Sequence, residues 1–162
     1  MSIDRVRAQF QQLGMEERIL EFAVSSATVE LAAEAVGVPA AQIAKTLSFR
    51  AGEAGCRLVV AAGDARVDNR RYKDTFHEKA RFLTPEEAVA LTGHAVGGVC
   101  PFALPAGVKV YLDESLRRFD TVYPAAGSSN SAVRLSCAEL ERCAGADGWV
   151  DVCKGWRADE QL

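Results

Sequence analysis

Leu58-Val59-Val60-Ala61-Ala62 is an unbroken apolar run, closed by Gly63-Asp64. A strand with one wetted face alternates apolar and polar side chains. A continuous run of this length reads instead as a central strand covered on both faces. A chain that contains it must build a sheet with further layers packed against it.

The flanking segments supply those layers. Ile43-Ala44-Lys45-Thr46-Leu47-Ser48-Phe49 alternates as a half-buried strand does, with Ile43, Lys45, Leu47 and Phe49 on one face. A lysine among three apolar neighbours either snorkels to the rim or points into a cleft. The pattern alone leaves both open.

Ile3, Val6, Phe10 and Leu13 fall at helical spacing before Gly14, and Ile19-Leu20-Glu21-Phe22 reads as a short edge strand. Ser25 or Ser26 is expected to cap an alanine-rich helix that Gly37 and Pro39 end. Asp68 is expected to cap a basic helix through about Phe76, followed by a strand over 80–83. Thr84-Pro85-Glu86-Glu87 is a strong helix start running to about Leu91. Strands are expected over 108–112, 121–124, 132–135 and 149–152, with a Ser136-capped helix at 137–143.

Strands outnumber helices, so the expectation is a single α/β (α+β) domain. Its sheet should be mixed and mostly antiparallel, with helices packed outside. The N-terminal helix occupies 1–17, the domain proper 18–152, and 153–162 reads as a loose polar tail.

Between the helix at 85–91 and the strand at 108–112 lies Thr92-Gly93-His94-Ala95-Val96-Gly97-Gly98-Val99-Cys100-Pro101-Phe102. Its valines and phenylalanine predict a loop anchored in the core. Its glycines leave amide N–H groups uncovered, able to hold a carbonyl or phosphate oxygen. A tight turn between two strands would read the same way.

At 162 residues the chain suits one domain, and 49% hydrophobic with 25% charged residues fits a globular protein. No apolar run approaches the ~18–20 residues of a membrane helix, and the N-terminus leads into no secretory apolar region. The five cysteines show no C-x-x-C spacing, so free thiols and a cytoplasmic location are expected. His77 and His94 have no partner at a metal-ligand spacing, and no metal or cofactor is expected. A net charge of −3 argues against a general DNA or RNA coat. It leaves room for local patches at Arg66, Arg70, Arg71 and Lys73, or at Arg117 and Arg118.

The order of these features resembles the YbaK/EbsC family, also called the prolyl-tRNA-synthetase-associated or INS-like editing domain. The alanine-rich helix, Ile43 to Leu47, Val59 to Asp64, the glycine loop 92–102 and Ala126-Gly127-Ser128-Ser129-Asn130 carry the likeness, which spans roughly 18–152. It implies a partly barrel-like sheet and metal-free hydrolysis of aminoacyl-tRNA bearing a wrong small amino acid, often on tRNA(Pro). It also implies contact with the 3′ acceptor end and, in some members, with an aminoacyl-tRNA synthetase; the pI near 5.5 and the lack of a long apolar run make no DNA or membrane partner the expectation.

Carried over by position, Lys45 matches the family's strand lysine, and the Gly97 and Gly98 amides match the loop beside the scissile ester. Gly127, Ser128 and Ser129 match the second loop of the pocket. Phe22 and Thr28 fall in the region that meets the terminal adenosine and amino acid, and Thr46, Cys100 and Pro101 fall with the substrate pocket. Cys100 departs from the serine more usual there, which leaves substrate identity open.

An aminoacyl ester is already reactive, so such a site needs to place the carbonyl, stabilise the oxyanion and admit water. One amide donor in an oxyanion hole is typically worth ~3–4 kcal/mol in the transition state. Cys100 could instead be a nucleophile with His94 as its base, or both could be structural. Asp113 could orient water or cap a strand end. The alternative function is a non-catalytic module that uses the same pocket to bind aminoacyl-tRNA or a synthetase.

Overall fold

The computed structural model of the chain describes residues 2–160. In chain order the helices and strands are α1 (Ser2–Gln12), β1 (Ile19–Glu21), α2 (Val29–Val36), β2 (Ile43–Ala51), β3 (Gly55–Ala62), β4 (Arg66–Val67) and α3 (Asn69–Phe76). There follow α4 (Pro85–Thr92), β5 (Lys109–Asp113), β6 (Tyr123–Pro124), β7 (Ser131–Val133), α5 (Cys137–Ala144), β8 (Gly148–Val150) and β9 (Cys153–Lys154). The architecture is α+β, with a curled mixed sheet and helices outside it.

The main sheet runs β6-β2-β3-β5-β8, with β3 at its centre. Leu58 to Ala62 are fully buried, as an unbroken apolar run requires. The antiparallel share of this sheet resides in the long β2–β3 ladder, which aligns Lys45 with Ala61 and Leu47 with Val59. Its other three ladders, β2–β6, β3–β5 and β5–β8, are parallel, because each of those strands returns by a crossover rather than a hairpin. Two small antiparallel pairs, β1–β7 and β4–β9, form separate two-stranded sheets.

An aromatic ladder joins α3 to one face of this sheet. Phe82 stacks on Phe49, Phe49 on Tyr72, and Tyr72 on Phe76, with centroids 4.7, 4.7 and 4.8 Å apart. Phe76 then meets Tyr111 edge-on at 5.0 Å. The core also takes in Phe10 of α1, whose ring packs edge-on against Phe102 at 5.0 Å.

The caps at Asp68, Thr84 and Ser136 form as expected, the last two as full capping boxes. Three expectations need correction. Thr28, not Ser25 or Ser26, caps α2 by accepting from the Leu31 amide at 3.2 Å, because both serines are drawn instead to the loop at 129–131. The segment 80–83 forms only a bridge between Phe49 and Phe82. The segment after 152 is not loose: Cys153 is fully buried and pairs through β9 with β4, and Trp156 is packed on the core. Met1 and residues 161–162 of the expected tail lie outside the described residues.

Candidate active site

β2 is paired from Ala44 to Ala51 on the β3 side but only near its ends on the other. Ile43 and Ala44 meet β6, and Ser48 and Arg50 bond the main chain of Leu83 and Arg81 at 3.0 and 2.7 Å. Between these pairings the strand edge lines a cavity of about 280 Å³. Its other walls are the start of α2 from Ser26 to Val29, the turn at Val96-Gly97, the head of β7 at Ser131-Ala132, and the 82–85 segment. The volume is just under the ~300–1,000 Å³ usual for drug-sized ligands, which suits a small acyl group.

Lys45 lines this cavity. Its ammonium donates to the Gly63 carbonyl at 3.3 Å and to the Ala65 carbonyl. An ammonium has three N–H donors, so a third remains for whatever fills the space. Partial burial pulls its pKa below the ordinary lysine value. The turn that supplies those carbonyls is itself held. Arg118 grips both oxygens of Asp64 at 3.0 and 2.6 Å, donates to the Trp156 carbonyl at 3.2 Å and stacks over its ring at 5.0 Å.

Residues 95–98, of which Val96 and Gly97 line the same cavity, form a turn closed by the Gly98 amide on the Ala95 carbonyl at 3.0 Å. Gly97 has φ of 93°, the positive φ that a type II turn requires at its third residue. The Gly97 amide donates to no group among the described residues, and Gly97 lines the cavity. Gly98 does not. A Cβ there would sit 2.8 Å from the Gly127 carbonyl carbon and the Ser128 nitrogen, so the two loops pack main chain on main chain.

The structure thus brings Lys45, Thr46, Thr28 and Gly97 to one space. Gly98, Gly127, Ser128 and Ser129 stand behind it as a buttress, which differs from the expectation that both glycine amides face the ester. Pro101 lines a separate surface hollow near α5, and Phe22 bonds Asn130 away from the cavity. Thr46 adds a feature that the pattern gave no hint of. Its Oγ1 is buried with no hydrogen-bond partner among the described residues, a cost that a polar ligand would relieve. Ser131, Tyr123, Phe82 and Val96, also at the cavity, were not foreseen. They arrive by pairings between distant parts of the chain and have no local signature.

His94 and Cys100 are fully buried and lie outside the cavity lining. His94 Nε2 faces the Phe102 carbonyl at 2.7 Å and therefore carries the ring proton, while Nδ1 accepts from the Ser2 hydroxyl. The Cys100 sulfur is 3.5 Å from that same Nε2, which has no lone pair to take its proton. Burial pushes the Cys100 thiol up to about 12 and the imidazole below its ordinary value. Asp113, also buried, accepts from the Ser115 and Val152 amides at 3.0 and 2.9 Å, the work of a cap.

Comparison with known proteins points in one direction. The sequence model of the aminoacyl-tRNA editing domain family matches residues 24–143. YwhH of Bacillus subtilis, an uncharacterized protein, is 51% identical over 156 residues, spanning 96% of this chain and 99% of that one. EbsC of Enterococcus faecalis, whose name proposes a Cys-tRNA(Pro)/Cys-tRNA(Cys) deacylase, is 26% identical over 110 residues, or 67% of each chain. A crystal structure described as a proposed trans-editing enzyme for prolyl tRNA synthetase superposes with a TM-score of 0.84 at 34% identity, covering 95% of this chain and 98% of that one.

Proposed function

The chain belongs to the aminoacyl-tRNA editing domain family, and from that premise we propose that it acts in trans as a deacylase, removing a mischarged small amino acid from the 3′ end of tRNA. What supports this reading is that Lys45 and Gly97, whose amide donates to no group among the described residues, both line one small hollow.

In this reading the acyl group lies between β2 and the 95–98 turn. The Gly97 amide faces the oxygen that gains charge, and the free N–H of Lys45 fixes the ribose or the carbonyl. Thr46 Oγ1 takes a polar group of the aminoacyl moiety. Water adds to the carbonyl carbon, the bond to the ribose oxygen breaks, and the water proton ends on that leaving oxygen.

Among the described residues no carboxylate, imidazole or thiol lines the cavity. In this reading the proton passes through the substrate's own amine or the neighbouring ribose hydroxyl, and Lys45 serves by charge and position. The same absence favours a second reading, a pocket that binds aminoacyl-tRNA, alone or with a synthetase, without turnover.

A panel of mischarged tRNAs separates the two. The native protein is expected to release amino acid well above the spontaneous rate from at least one of them. Lys45→Ala is expected to lower that release by about 10²–10³-fold, the scale for losing one preorganised donor, with its Tm little changed. No release from any tRNA, together with tight binding of a non-hydrolysable aminoacyl-adenosine, would establish the second reading instead.

A further inference from the structure

A second hollow, of about 440 Å³, is lined by Asn69, Arg70, Lys73, Lys79 and Ala80. Three of these side chains are cations and none is an acid. Among the described residues the side chains of Arg70, Lys73 and Lys79 make no ion pair or hydrogen bond, although other basic side chains of this region are taken up. Arg71 pairs with Asp68 and Asp151, and Arg57 with Glu78. Uncompensated cations gathered round a concavity are the footprint of a phosphate-bearing partner.

Two features connect this hollow to the cavity mouth. Ala80 lines the hollow, and two residues further along the chain Phe82 lines the cavity with 60% of its surface exposed. The aromatic ladder from Phe82 through Phe49 to Tyr72 fixes α3, which carries Arg70 and Lys73, on that same side of the sheet. Val96, which also lines the cavity, is 67% exposed. An exposed aromatic ring at a rim, followed by a groove of free cations, is how proteins hold single-stranded nucleic acid: bases stack on the ring and phosphates follow the charge.

We propose that the unpaired 3′ end of an RNA leaves the cavity over Phe82, stacks a base on that ring, and lays its next phosphates against Arg70, Lys73 and Lys79. The inference rests on the deacylase reading for the identity of the RNA, but not for its test. The overall charge of −3 fits this arrangement, because attraction confined to one strip orients the end that must enter the site without coating the protein in RNA.

The test measures anisotropy of an acceptor-stem hairpin ending in an unpaired CCA, titrated with the native protein over a range of salt. The variants are Arg70→Ala/Lys73→Ala/Lys79→Ala, Phe82→Leu, Phe82→Trp, and Arg134→Ala as a control on another surface. The triple variant is expected to bind at least ten-fold more weakly. Its slope of log affinity against log salt should fall by about 0.7 for each phosphate left without its cation. Phe82→Leu should weaken binding while Phe82→Trp keeps it, and the control should match the native protein.

Native affinity and salt slope in the triple variant, or equal loss in the control, would overturn the proposal. Hydrolysis of a small aminoacyl-adenosine ester tests the deacylase reading separately. The triple variant is expected to cleave that ester at the native rate while losing efficiency on full-length tRNA.

Discussion

At Cys100 geometry outweighs composition. A thiol six residues from a histidine, in a glycine loop, has the look of a nucleophile. Yet the histidine's near nitrogen already donates to Phe102, and the thiol is raised to about 12 with no surface exposed. Cys100→Ser is therefore expected to keep native turnover, and iodoacetamide should label Cys100 only at the rate of global unfolding. Labelling of the folded protein coupled to loss of activity would refute this account. Lys45 teaches the reverse lesson. Alternation placed it correctly on its strand, but no local pattern announces that carbonyls 18 and 20 residues away will hold its ammonium.

Among the elements, the two loops behave as one unit because Gly98 lies directly on Gly127 and Ser128. Gly98→Ala has no compensating space, since main chain rather than a flexible side chain blocks it. Overpacking of this kind costs about 1–3 kcal/mol, so a Tm lower by several degrees is expected, with deacylation falling further than stability. Unchanged calorimetry and turnover would show that the loops move apart freely. The glycine content was legible in the sequence as a backbone site. Which amide stays free was not, because that depends on the turn closing between Ala95 and Gly98. The Asp64 turn is the second such unit. Arg118→Ala is expected to lower turnover by about ten- to a hundred-fold, the scale for a small misplacement of a catalytic group. Arg118→Lys should restore only part, since an ammonium supplies neither the fork nor the stacking; full activity in the alanine variant would show the clamp to be dispensable.

Across the whole molecule, segments outside the 24–143 match brace the site. Ser2 bonds His94, Arg5 bonds the Gly93 carbonyl at 2.5 Å, and Trp156 packs behind the Lys45 turn through Arg118. The helices were legible from caps and periodicity, which are local. The C-terminal segment was not, because a two-residue pairing with β4 leaves no period to read. Near β1, Arg18 ties the N-terminal part to α5 through Glu139 at 2.8 Å. This bond and the Ser136 amide hold the Glu139 carboxyl down at about 2. Because the folded value lies below the unfolded one of ~4.3, the stabilisation is complete above that pH and fades as pH falls toward 2. Glu139→Gln should be less stable at neutral pH and lose less Tm between pH 5 and 2; parallel Tm curves would contradict this. The cradle around Lys45 carries one more consequence. Since the atoms that accept from that amine are neutral carbonyls rather than a carboxylate, no ion pair occupies it, and a small inorganic anion entering the hollow is expected to be drawn to it. Phosphate or sulfate is therefore expected to raise the apparent KM for aminoacyl-tRNA without lowering kcat, and unchanged kinetics in such buffers would refute this.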